Sequence, residues 1–191
     1  MSDNISAATT CTCHEDANLK FPRDFLWGVA TSPTQIEGSI VNEWADFKAR
    51  DLSTPNTCAD QWQNPGSDLA LLSRLNLSAY RMGLDWGRLQ AGPCTPLAKD
   101  VVIRYGELIE QVKERGIEPF VTLFHFACPV WMAQRGGWTS PESVDWFCDF
   151  VHRVCEARLP IKYWISINEP GVYVTMAYLL GMFPLPWPDC H

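Results

Sequence analysis

Four times along the chain, an apolar run of strand length is followed by a longer segment with apolar residues at helical spacing. The runs are FLWGVAT (25–31), SAYRMGLDW (78–86), EPFVTLFH (118–125) and IKYWISIN (161–168). The intervening segments read as helices over 67–76, 97–115, 141–158 and 170–181. In the second, Val101, Tyr105, Leu108 and Val112 share one face, and Gly116 follows Lys113 and Arg115 as a helix stop. In the third, Val144, Phe147, Cys148, Val151 and Cys155 form the expected stripe. Ser140 is its expected N-cap, with Pro141 in the first position and Glu142 complementing the dipole. Strands that are apolar throughout are covered on both faces, so this alternation specifies a parallel sheet packed by helices. Two architectures satisfy it, an open doubly wound sheet and a (β/α)8 barrel. A dinucleotide fold carries a glycine-rich turn after its first strand. Here SPTQIEG follows instead, and no GxxxxGK[ST] occurs, which disfavours nucleotide binding.

Polar residues cluster where the strands end. Gln35 and Glu37 follow the first, and Asp85 and Arg88 the second, which holds Arg81 within it. His125 closes the third strand, and Asn168 and Glu169 close the fourth. Each has a plain structural explanation on its own: Arg81 as partner of a buried acid, His125 as a satisfied core histidine, Glu169 as a loop residue capping the next helix. Their recurrence at four strand ends points to a site, because the C-terminal strand ends form the active-site face of a barrel.

The chain of 191 residues is 47% hydrophobic, enough for a substantial core in one domain. Its net charge of −7, with no basic stripe, argues against nucleic acid and anionic membrane surfaces as partners. No apolar run is long enough for a transmembrane helix. Residues 1–19 are polar and aperiodic, and are expected to be a disordered tail preceding a folded unit over 20–191. MSDNISAATT does not read as a signal peptide, so a cytoplasmic protein with reduced thiols is expected from its eight cysteines. Cys11, Cys13 and His14 match no common zinc spacing. Nine tryptophans suit a core, and also the stacking of flat rings on sugar faces.

Four ordered segments carry a family resemblance: FPRDFLWGVATSPTQIEG (21–38), AYRMGLDWGRL (79–89), PFVTLFHFACPVWMAQRGGW (119–138) and KYWISINEPGVY (162–173). Together they resemble glycoside hydrolase family 1, the β-glucosidase and 6-phospho-β-glucosidase family. The resemblance implies a (β/α)8 TIM barrel and retaining hydrolysis of β-glycosides without a cofactor or metal. It makes Glu169 the general acid/base, which protonates the leaving oxygen and then activates water. It makes Asn168 a ligand of the sugar 2-hydroxyl, and Gln35 and His125 ligands of other sugar hydroxyls. Arg81 would lie beneath the site and orient the nucleophilic carboxylate.

The sequence departs from this pattern in three places. HFA (125–127) stands where the family usually has HWD or a similar triplet, so an indole N–H and a carboxylate are missing. QWQNPGS (61–67) is unusual, which leaves the sugar preferred open. Only four βα units are present, the N-terminal half of a barrel, and no segment resembles the TENG sequence that carries the family's nucleophile. Glu37 and Glu43 are the remaining nearby carboxyl groups, and neither lies at a matching position. Without the nucleophile the chain is expected to be inactive alone. It would then pair with a C-terminal half-barrel chain, associate with itself, or persist as a non-catalytic sugar-binding or vestigial half-barrel.

Overall fold

The computed structural model describes residues 20–47, 55 and 58–184. The expected tail and its Cys11, Cys13 and His14 lie outside them. Strand β1 (Gly28–Ala30) is followed by α1 (Pro33–Ile36) and α2 (Pro65–Arg74). β2 (Ala79–Gly83) leads into α3 (Trp86–Leu89) and α4 (Lys99–Glu114). β3 (Glu118–Phe124) leads into α5 (Val130–Ala133) and α6 (Ser143–Glu156). β4 (Tyr163–Ile167) leads into α7 (Pro170–Tyr173), which continues as a π-helical stretch over Val174–Leu179.

The four strands form one parallel sheet in sequential order, with registers Val29↔Tyr80, Arg81↔Phe120 and Phe120↔Tyr163. A sequential parallel sheet with helices between its strands is four βα units of a (β/α)8 barrel. Side chains alternate along the strands. Tyr80, Met82, Val121 and Leu123 are buried and join Tyr105, Leu108, Ile109 and Val112 of α4 in one core. The opposite face carries Arg81, Thr122 and the stacked rings of Phe120 and Tyr163, whose centroids are 4.5 Å apart. The α4 face is the one its periodicity indicates, with Ile109 added.

Four expectations are corrected. The first strand is not a buried run over 25–31. Only Gly28–Ala30 pair, on one side, and Phe25, Leu26, Trp27 and Val29 are exposed. These residues form one flank of the sheet, which the other described elements leave exposed.

The α6 stripe is rotated. Val144 is 62% exposed, Cys148 and Cys155 are exposed, and the buried residues are Ser143, Trp146, Phe150 and Val154. Two apolar faces lie close together on this helix, and the one bearing the larger aromatic area wins. Phe150 stacks on Trp86 at 4.9 Å, and Trp146 meets Trp131 edge-on at 5.4 Å.

Ser140 does not cap α6. Its hydroxyl donates to Glu142 Oε2 at 2.5 Å, and Glu142 occupies the N-cap position. The helix expected over 170–181 is one α-turn followed by the π-helical stretch.

The core polar network is compact. The Tyr105 hydroxyl accepts the Asp85 amide at 2.9 Å and donates to Glu37 Oε1 at 2.8 Å. Glu37 Oε2 lies 3.3 Å from Arg88 Nε, and Asn42 Nδ2 donates to Asp85 Oδ2 at 3.1 Å. Burial, then the neighbouring Asp85 charge, outweigh the Arg88 guanidinium and push Glu37 up to about 8. Burial likewise raises Asp85. The described cysteines, Cys58, Cys94, Cys128, Cys148 and Cys155, are free thiols. No described helix is long and apolar enough to cross a membrane.

Candidate active site

The sheet brings the expected residues to one end. Gln35 follows β1 on α1, His125 follows β3, and Asn168 and Glu169 follow β4. The β3–β4 ladder continues one step past the strands, because the Asn168 amide donates to the Phe124 carbonyl at 2.9 Å. His125 and Asn168 therefore leave the sheet at the same level, on neighbouring strands.

Arg81 of β2 ties Asn168 to Thr122 of β3. Its Nη2 donates to Asn168 Oδ1 at 2.6 Å, and its Nε donates to Thr122 Oγ1 at 2.9 Å. Asn168 is buried, and with Oδ1 occupied it keeps its amide N–H groups for another partner. In this chain Arg81 holds an amide rather than a carboxylate. Thr122, fully buried, was not singled out from the sequence. Its place one strand over on the Arg81 face of the sheet was the available signal.

His125 is half-buried and its Nδ1 has no hydrogen-bond partner. Burial, then the Arg81 charge, lower its pKa to about 4, so the imidazole is neutral at pH 7. It lines a cleft of about 440 Å³ together with Gln35, Trp44, Cys58, Phe126 and Phe183. Gln35 is oriented by the Ser32 hydroxyl, which donates to its Oε1 at 2.9 Å. Trp44 is fixed by its indole N–H, which donates to the Phe126 carbonyl at 2.7 Å, and packs edge-on against Phe183 at 5.1 Å. This one aromatic wall distinguishes Trp44 from tryptophans such as Trp86, which is in the core. Trp44 and Phe183 lie on no helical or strand period, and only the fold brings them together.

Glu169 has φ 39° and ψ 62°, a left-handed conformation that costs a non-glycine residue roughly 1–2 kcal/mol. Its carbonyl accepts the Tyr173 amide at 3.0 Å and starts α7, with Pro170 in the first helical position. Its side chain makes no cap hydrogen bond and is exposed. Helix capping therefore does not account for this acid. Strain held in place at a strand end is a mark of functional sites.

The other nearby carboxyl groups are tied up elsewhere. Glu37 is bound to Tyr105 and Arg88 in the core network. Glu43 Oε1 accepts the Cys128 amide at 3.2 Å and the Tyr173 hydroxyl at 3.4 Å. No Asp or Glu is among the described residues that line the cleft.

The profile of glycosyl hydrolase family 1 matches residues 17–189. Beta-glucosidase A of Thermotoga maritima is 31% identical over 175 residues, 85% of this chain and 39% of that protein. Coniferin beta-glucosidase of Pinus contorta is 32% identical over 188 residues, 91% of this chain and 36% of that protein. The chain thus spans well under half the length of the curated relatives it matches. Among solved structures, the Thermotoga maritima beta-glucosidase in complex with castanospermine superposes with a TM-score of 0.80 at 31% identity, covering 85% of this chain and 40% of that one. A beta-glycosidase from Pyrococcus horikoshii gives 0.78 at 34% identity, covering 89% and 41%. A match over nearly the whole chain, by sequence and by structure alike, places these four βα units in a known barrel: the chain belongs to glycosyl hydrolase family 1.

Proposed function

We propose that this chain supplies the acid/base side of a retaining β-glycosidase site. The carrying observation is Glu169, a carboxyl group strained at the end of β4, free of any capping bond and adjacent in sequence to the clamped Asn168. Glu169 donates its proton to the departing glycosidic oxygen and later takes one from water. Asn168 offers its amide N–H to a sugar hydroxyl, the contact that strengthens as charge develops at the anomeric carbon. Gln35 and neutral His125 hold other hydroxyls, with Trp44 and Phe126 as apolar walls. Arg81 positions Asn168.

The attacking carboxylate comes from outside these 191 residues. Retaining chemistry needs it about 5–5.5 Å from the acid, and Glu37 and Glu43 are committed to other partners. A polypeptide carrying further βα units is the fitting partner. Among the described residues β1 and β4 each have one unpaired edge, and the flanking Trp27 and Trp164 are 54% and 38% exposed.

A second reading is a half-barrel that binds sugars without hydrolysing them, favoured by a cleft whose described lining has polar side chains and aromatic walls but no carboxylate. Binding of deoxynojirimycin, which a solved Thermotoga maritima relative holds, is the first experiment. Calorimetry is expected to show saturable binding that His125→Ala abolishes. Binding unaffected by His125→Ala and by Gln35→Ala would remove the cleft from the proposal.

A further inference from the structure

Glu43 precedes the cleft-lining Trp44 and is bound to the loop after β3. Its own amide donates to the Cys128 carbonyl at 3.1 Å, and its Oε1 accepts the Cys128 amide at 3.2 Å. Asn42 and Pro129 form an antiparallel bridge one residue away on each side, and the indole of Trp44 donates to Phe126. From α7, the Tyr173 hydroxyl donates to the same Oε1 at 3.4 Å and lies 3.5 Å from Cys128 Sγ. The Tyr173 ring stacks on Phe126, with centroids 5.9 Å apart and planes 10° apart. One carboxyl group thus ties together the segment after α1, the loop after β3 and the turn that begins at Glu169.

Although the residue is partly exposed, this carboxyl is enclosed. Glu43 Oε2 is buried without a hydrogen-bond partner. A bare negative oxygen there would have no donor to offset its desolvation. No salt bridge reaches Glu43 among the described residues. The titratable groups that face it are the Cys128 thiol from the β3 loop, the Tyr173 hydroxyl from α7 and the Tyr178 hydroxyl from the π-helical stretch. All three are neutral at pH 7, each pushed upward first by burial.

We propose that Glu43 is a proton-held latch: as a neutral acid it clasps the Trp44 and Phe126 wall to the first turn of α7, and its ionisation, with the proton passing to water from Oε2, releases that wall. The direction of titration agrees with the geometry. Burial pushes Glu43 from 4.5 up to about 8 in the closed arrangement, whereas an opened, hydrated carboxyl returns toward the ordinary value. Opening is therefore favoured progressively between those two values and no further above the higher one. The latch is a property of the folded chain and holds whether or not that chain takes part in glycoside hydrolysis.

Hydrogen exchange of the whole chain, read as protection factors from pH 5 to 9, tests it. In the wild type, the Glu43 and Cys128 amides are expected to lose protection by up to about tenfold per pH unit until about pH 8, then level off. Glu43→Gln keeps the shape of the neutral acid and cannot ionise, so the same amides should show a flat profile. α4 serves as the internal reference and should respond alike in both proteins. Equal slopes in the two proteins, or a flat wild-type profile, would overturn the latch. Should Glu43→Gln fail to fold, the wild-type profile at these two amides, measured against α4, decides alone.

Discussion

Arg81 Nη2 stands 2.6 Å from Asn168 Oδ1, a direct link between β2 and the residue that precedes Glu169. The same guanidinium reaches Thr122 on the strand between them. A charged donor shared in this way fixes which face of the Asn168 amide is left for a ligand.

Removing that guanidinium has an electrical consequence. Burial is the first cause of the lowered His125 pKa and the Arg81 charge the second. Arg81→Met should therefore move the His125 pKa up from about 4, but not to its ordinary value, in an NMR titration of the imidazole. Imino-sugar binding should weaken about tenfold, the cost of one charge-assisted hydrogen bond. A His125 titration unchanged by Arg81→Met would show that the two side chains do not sense each other.

No turnover of aryl β-glycosides is expected from the chain alone, since no cleft-lining carboxylate is present among the described residues. Mixed with a partner that completes the barrel and carries a nucleophile, activity should appear. In that mixture Glu169→Gln should slow substrates with poor leaving groups by about 100-fold or more, and activated aryl glycosides far less. Equal losses for both substrate types would take the acid role away from Glu169.

Chemical denaturation across pH should show a slope set by the buried acids. Glu37 and Glu43 bind protons more tightly folded than unfolded, at about 8 against 4.5. Their raised values stabilise the protonated fold, and that stabilisation is lost as pH rises from 4.5 toward 8. His125 acts oppositely: its folded value of about 4 lies below its ordinary 6.5, so its contribution is present above 6.5 and lost as pH falls toward 4. Two carboxyls outweigh one imidazole, and the chain should be less stable at pH 8 than at pH 6, by on the order of 3 kcal/mol. Glu37→Gln combined with Glu43→Gln should flatten this limb. A stability that rises from pH 6 to 8 would contradict the assignment.

The orientation of α6 can be read by truncation. Phe150→Ala should cost about 3–5 kcal/mol, because the ring is fully buried against Trp86. Cys148→Ala and Val144→Ala, on the exposed side, should change the unfolding free energy measured in urea by less than about 0.5 kcal/mol. Comparable losses at Phe150 and Cys148 would return the helix to the face its spacing suggested.

Much of this was legible in the residues themselves. The α4 face and the parallel βα order follow from periodicity, since Val101, Tyr105, Leu108 and Val112 have no competing stripe. On α6 the 3.6-residue period admits two adjacent faces, and only the aromatic partners across the interface decide between them. The first strand misled for a different reason. FLWGV is apolar yet exposed, and a local pattern carries no information on whether a neighbouring element covers it. At the site, the strand-end positions of His125, Asn168 and Glu169 were readable from where apolar runs stop. Thr122 and Trp44 were not, because their roles come from contacts 41 and 82 residues away in sequence.

The order of the sheet also bears on how the chain is made. Each strand pairs with the one synthesised just before it, so every closure spans roughly 40–50 residues and none waits for a distant segment. The growing polypeptide can therefore zip β1 to β2, then β3, then β4, as each emerges from the ribosome. Until another strand arrives, the tip of that zipper is β4, and Asn168 and Glu169 ride on it. The acid is thus set with the last of the four described strands, just before α7 and the π-helical stretch.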